Sequence, residues 1–146
     1  MTTVYPNLIL DTNVISELRK GEASHPQVRG WFTGIPSSAI FMSVISFMEL
    51  DMGVLSMERH DPIQGQKLRH WLDQQVIPHF HDRIIDITLP IVKQCARFHG
   101  PDPCSDRDAL IAATARVHSM TVVTRNTKDF ERTGIPLINP WLHKNL

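Results

Sequence analysis

Leu8-Ile9-Leu10 runs straight into Asp11, and a helical pattern begins immediately after Thr12-Asn13. A short, wholly apolar strand followed at once by a helix is the opening of a parallel sheet buried on both faces. Ending such a strand on a carboxylate is costly, because an ionised carboxyl leaves water only when paired, hydrogen-bonded or metal-bound. The stretch LILDTNVISELRKG therefore predicts a β-α start and requires a partner for Asp11.

The remaining sequence repeats the alternation. Further strands are predicted at Ala39–Val44, Arg83–Ile87 and Thr121–Thr124. Helices are predicted at Asn13–Lys20, stopped by Gly21, and then at His25–Phe32, Ser46–Arg59, Pro62–Val76, Leu89–Phe98 and Ser105–His118, with Ser105 as a natural N-cap. A helical turn over Thr127–Glu131 and the apolar segment IPLINPW close the chain. Strands separated by helices, without hairpin signals, predict an α/β fold: one domain over residues 1–146, with a central parallel sheet, helices on both faces and a protruding helical hairpin from 46–59 and 62–76. In such sheets a functional site lies beyond the carboxyl ends of the strands.

Composition narrows the function classes. The 146 residues are 42% hydrophobic and 21% charged, an ordinary globular balance, and no apolar run approaches the roughly 18 residues of a membrane helix. The N-terminus does not read as a secretory signal, so a cytoplasmic protein is expected. Fifteen basic and fifteen acidic residues cancel, so any nucleic-acid binding must come from a local patch. Cys95 and Cys104 lack metal-ligand spacing and are expected as free thiols.

Two more acids share the address of Asp11. Glu49 is placed in the first turn of the helix after the second strand, and Asp108 in the first turn of the helix before the TVVT strand; both stand among apolar or small residues. Carboxylates brought to one sheet edge repel unless a cation lies between them, and oxygen-only ligands select Mg²⁺ or Mn²⁺. Asp106, two residues from Asp108, points elsewhere and is read as a first-turn acid.

With LILDTNVISEL, SVISFMEL, DALIAATARVHSMTVVTRNTKDF and INPW in this order, the chain resembles PIN-domain ribonucleases of the VapC type, in their FitB-like branch. These are toxins of bacterial type II toxin–antitoxin pairs. The resemblance implies a metal-dependent endoribonuclease in which Asp11, Glu49 and Asp108 hold Mg²⁺ or Mn²⁺ and carry the catalysis, cutting RNA to leave 5′-phosphate and 3′-hydroxyl ends. It gives Thr12, Asn13, Ser46 and Thr124 supporting roles. Asn126 stands where many relatives carry a fourth acid, and Asp129, three residues on, is a possible substitute. The resemblance further implies a homodimer, a cognate VapB- or FitA-like antitoxin that binds DNA on the pair's behalf, and a disordered antitoxin tail that blocks the cleft. An apolar groove near Met52, Leu55, Leu68 and Trp71 is expected to receive that tail. The alternative reading is a catalytically weak PIN domain that binds RNA or a partner.

Other features compete for attention. Arg125 and Lys128 are the candidate RNA-binding cations, with Arg19, Lys20 and Arg107 also near the expected strand ends. His79-Phe80-His81, read as extended, places two imidazoles together beside Asp82, too few ligands to specify a metal. Trp31, Phe47, Trp71 and Trp141 are expected in the core or an interface. An aspartyl-phosphate enzyme is disfavoured, because the phosphatase pattern wants an acid where Asn13 stands.

Overall fold

The computed structural model describes residues 6–100 and 104–144. Five strands form one parallel sheet: β1 (Leu8–Leu10), β2 (Ile40–Ser43), β3 (Ile84–Ile85), β4 (Thr121–Val123) and β5 (Leu137–Ile138), in the order β3-β2-β1-β4-β5. Leu8 pairs with Ile40 on one side and Thr121 on the other, so β1 is the central strand. The chain winds from β1 toward β3 and then returns to β4 on the opposite side. That reversal opens a crevice at the carboxyl ends of β1 and β4, the place where α/β sheets bind ligands.

Side-chain alternation along β1 divides the core. Leu8 and Leu10 face a cluster with Val14, Ile40, Met42 and Leu72, while Ile9 faces Ile111, Ala112, Val122 and Phe130. All three β1 residues are fully buried, each contributing about 1.5–3 kcal/mol of apolar transfer energy. Helices α1 (Thr12–Leu18), α2 (Pro26–Thr33), α3 (Val44–His60) and α4 (Pro62–Trp71) supply the first layer. Helix α7 (Asp106–His118) supplies the second and packs against α6 (Leu89–Phe98). Its Ala109, Ala112, Ala113 and Ala115 are all buried, and these small side chains let the helix lie close to the sheet.

Helices α3 and α4 form the predicted hairpin. Gly65 sits where a Cβ would meet the Glu58 Cα at 2.5 Å, so only glycine permits this crossing. Arg69 ties the pair, reaching Asp51 at 2.7 Å and Glu58 at 3.0 Å on α3.

Several boundaries differ from the sequence expectation. Helix α3 begins at Val44, capped by the Ser43 hydroxyl accepting from the Ile45 amide, which places Glu49 in the second turn instead of the first. Helix α4 does not stop at Val76. It widens into a π-turn over Leu72–Val76 and continues as α5 (Ile77–His79), an adjustment that accommodates Pro78, which has no amide hydrogen to donate. His79 is therefore helical and the following residues turn, so His79-Phe80-His81 is not extended. Strand β3 shrinks to two residues, and Ser105 precedes α7 without a side-chain capping bond. Strand β5, unpredicted, is held by neighbours: the Thr124 amide donates to the Ile138 carbonyl at 2.9 Å. The 127–131 turn is two short 3₁₀ turns, Thr127–Asp129 and Glu131–Thr133. Cys95 and Cys104 are free, and no described helix is long and apolar enough to cross a membrane.

Candidate active site

Asp11 leaves the carboxyl end of β1 and is only 6% exposed. Its carboxylate caps α1 by accepting from the Thr12 amide at 2.8 Å, and it accepts from Thr124 Oγ1 at 2.8 Å and Asn13 Nδ2 at 3.3 Å. These donors are the protein partners that its burial demanded. They offset it incompletely: desolvation pushes the Asp11 pKa up, the Thr124 and Thr12 bonds pull it down, and the charges of Glu49 and Asp129 raise it further.

The polar residues of α1 and the β4 end are mutually braced. Thr12 Oγ1 donates to Glu49 Oε1 at 2.9 Å, linking α1 to α3 across the crevice. Asn13 Oδ1 accepts from the Arg125 amide at 3.2 Å, and the Asn126 amide donates to Thr124 Oγ1 at 3.0 Å. Glu49 also lies 3.7 Å from Arg107 Nη1. Glu49 thus has both a hydroxyl and a cation, which hold it in position.

Asp108, in the first turn of α7, faces the same crevice electrostatically. Its pKa is pushed up to about 6, first by burial and then by the charges of Asp11, Asp129 and Glu49. Four acids from four separate elements therefore feel one another. Asp129 joins this field from the short turn after β4 and supplies negative charge that Asn126 lacks. Asn126 is exposed and contributes its backbone amide.

The donor set is all oxygen, which suits a hard divalent cation. Among the described residues, however, no three His, Cys, Asp or Glu side chains stand close enough to form a coordination shell by themselves. Spacing of this kind fits an ion held through one or two carboxylates and bound water, the usual habit of Mg²⁺. Ser46, one helical turn before Glu49, is fully buried with no hydrogen-bond partner for its Oγ, so no described bond links it to the carboxylates.

The remaining candidates scatter. Arg125 is exposed and stacks its guanidinium over Trp141 at 5.2 Å, beside the Asn13 bond that fixes its backbone. Lys128 is exposed one residue before Asp129, whereas Lys20 pairs with Glu17 at 3.1 Å. Burial and the Arg83 charge lower the His79 pKa, and its ring packs edge-on to Phe80. Trp31 is core, while Trp71 lines two cavities and carries Arg19 over its ring. The Thr12–Glu49 and Arg107–Glu49 contacts had no local signal in the sequence, because each joins elements distant along the chain.

The PIN domain family matches residues 8–136. Toxin FitB from Neisseria gonorrhoeae is 32% identical over 143 residues, spanning 92% of this chain and 98% of FitB, and VapC ribonuclease Y4jK from Sinorhizobium fredii is 32% identical over 92% of this chain and 97% of its own. The crystal structure of FitAcB from Neisseria gonorrhoeae superposes with a TM-score of 0.83 at 31% identity, covering 92% of this chain and 99% of that one. A toxin-antitoxin complex from Klebsiella pneumoniae matches with a TM-score of 0.63 at 27% identity, covering 91% and 97%. An acidic crevice at the reversal point of a five-stranded parallel sheet, with this kinship along nearly its whole length, makes the chain a member of the PIN domain family.

Proposed function

We propose that the protein is a divalent-metal-dependent endoribonuclease and the toxin of a type II toxin–antitoxin pair. The observation that carries the reading is the convergence of Asp11, Glu49, Asp108 and Asp129, with Asp11 buried and the Asp108 pKa pushed up to about 6 by burial and by the charges of its neighbours. A protein gains nothing in stability by gathering repelling carboxylates, so the arrangement favours a cation-binding role. The toxin and ribonuclease names of the relatives support the same conclusion.

In this reading Asp11, Glu49 and Asp108 would hold Mg²⁺ or Mn²⁺, one or two of them directly and the rest through bound water, and Asp129 adds charge nearby. The ion would supply neutralisation of the phosphate and acidification of a bound water. Thr124 and the Thr12 amide fix Asp11, Thr12 Oγ1 fixes Glu49, and Asn13 ties the β4 end to α1, so Asp11 and Glu49 need no rearrangement when substrate arrives. Arg125 and Lys128, both exposed on the β4 side, would receive RNA phosphates. A cognate antitoxin would lay an apolar segment along the hairpin, where Met52 and Leu55 are exposed, and would bring any DNA binding with it.

The test is cleavage of a mixed small-RNA pool by antitoxin-free protein with Mg²⁺, Mn²⁺ or EDTA, beside Asp11→Asn. Discrete metal-dependent cuts with 5′-phosphate ends, lost in the variant, are expected. Absence of cleavage by folded protein that binds metal would overturn the enzymatic reading in favour of a binding module.

A further inference from the structure

We propose that the cavity beside Glu49 receives the base of an unpaired nucleotide flanking the scissile phosphate, stacked on Trp71 and covered by Arg19. The proposal rests on the nuclease reading and names how the substrate is held.

The cavity measures about 200 Å³ and is lined by Thr12, Ser16, Arg19, Glu49, Leu68 and Trp71, among others. Thr12 and Glu49 belong to the acidic crevice itself, joined by their 2.9 Å hydrogen bond. A phosphate seated at the acids therefore has this cavity as its immediate neighbour on the α1–α3 side. A cavity of about 150 Å³ accepts a benzene ring, so this one has room for a nucleobase.

The lining chemistry also matches a base. Trp71 offers a flat aromatic face, with the Arg19 guanidinium centre 6.0 Å from its ring centroid, and Ser16 offers a hydroxyl for a heterocycle edge. A base sandwiched between two planes needs about 6.8 Å, twice the stacking repeat of about 3.4 Å. Arg19 is exposed, so its side chain is free to swing outward and admit the base. Trp71 immediately precedes the π-turn over Leu72–Val76, a distortion that recurs at functional sites.

A second cavity, about 230 Å³, shares Arg19 and Trp71 but is walled by Leu10, Ile15, Phe32 and Phe80. Neither Thr12 nor Glu49 lines it, so it does not open beside the acids that would hold the phosphate. The occupant assigned here belongs to the cavity beside Glu49.

The experiment uses a single-stranded oligoribonucleotide that the protein cuts, selected from a mixed-sequence library, with an abasic residue moved one position at a time past the cut. In the parent protein one abasic position next to the cut is expected to lower kcat/KM roughly tenfold to a hundredfold, the value of one base on an aromatic platform. In Trp71→Leu that penalty should vanish, while Trp71→Phe, which preserves more of the packing, should retain part of it. An equal penalty in parent and Trp71→Leu, or no penalty in the parent, overturns the cavity assignment while leaving the nuclease intact. No cutting of any library member by the parent overturns the nuclease reading itself. If Trp71→Leu cleaves as the parent does and loses only its inhibition by a partner protein, the cavity is a protein-docking site and the proposal is wrong.

Discussion

Thr124 Oγ1 lies 2.8 Å from Asp11 Oδ2, joining the carboxyl ends of two adjacent strands through buried atoms. The same hydroxyl accepts from the Asn126 amide at 3.0 Å, so one side chain holds both the central acid and the chain that leads to Asp129. Thr124→Val keeps the shape and removes both bonds. A buried carboxylate that loses a donor costs about 1–3 kcal/mol, and Thr124→Ser should recover most of it. Urea unfolding at neutral pH measures the loss, and a valine variant as stable and as active as the parent would remove Thr124 from the site.

Asp108 predicts the sign of a pH effect. Its folded pKa of about 6 exceeds the ordinary carboxylate value near 4, so the folded state binds the proton more tightly than the unfolded chain. Its contribution is favourable below pH 4 and is lost as pH rises through 6. Metal-free Asp108→Asn should therefore match the parent near pH 4 and exceed it above pH 6.5, by about 1–2 kcal/mol because the carboxyl is partly open to solvent. Denaturation of both proteins in EDTA at the two pH values checks this, and a variant no more stable than the parent at pH 7.5 would contradict the raised pKa.

A cation should reverse that penalty. Any ion that binds only the folded state stabilises it by about 2.7 kcal/mol at a hundred times its dissociation constant. Titrating Mg²⁺ or Mn²⁺ should raise the melting temperature of the parent at pH 7.5 and leave Asp11→Asn nearly unmoved. Equal shifts in both proteins would place metal binding elsewhere.

The acidic residues were legible because each sits at a predictable address: Asp11 after an apolar strand, Glu49 after a second one, Asp108 at a helix start. What the sequence concealed is tertiary. Glu49 moved into the second turn because the Ser43 hydroxyl starts α3 two residues earlier than the pattern suggested. Strand β5 is two residues long and exists through its pairing with β4, so no local periodicity announces it. The π-turn follows from reconciling Pro78 with a helix that tertiary packing continues, and Leu72 and Val76 within it are buried. Asp129 is exposed in a short turn, and its place in the acidic field comes from a sheet edge that the sequence could order but not position.

The hairpin supplies a paired test of packing against propensity. At Gly65 a new Cβ would stand 2.5 Å from Glu58 Cα and 2.7 Å from its backbone nitrogen, atoms that cannot swing aside. Gly65→Ala should therefore push α4 off α3 and cost about 1–3 kcal/mol, as overpacking does. Gly53, exposed within α3, has no atom within 4 Å of a built Cβ. There alanine only improves helix propensity and reduces unfolded-chain entropy, and Gly53→Ala should gain up to about 1 kcal/mol. Chemical unfolding of the two variants should move in opposite directions from the parent. A loss in both would mean that α3 needs freedom at Gly53, beside the cavity it helps line; a gain in both would mean that the α3–α4 crossing relaxes more easily than its backbone contact allows.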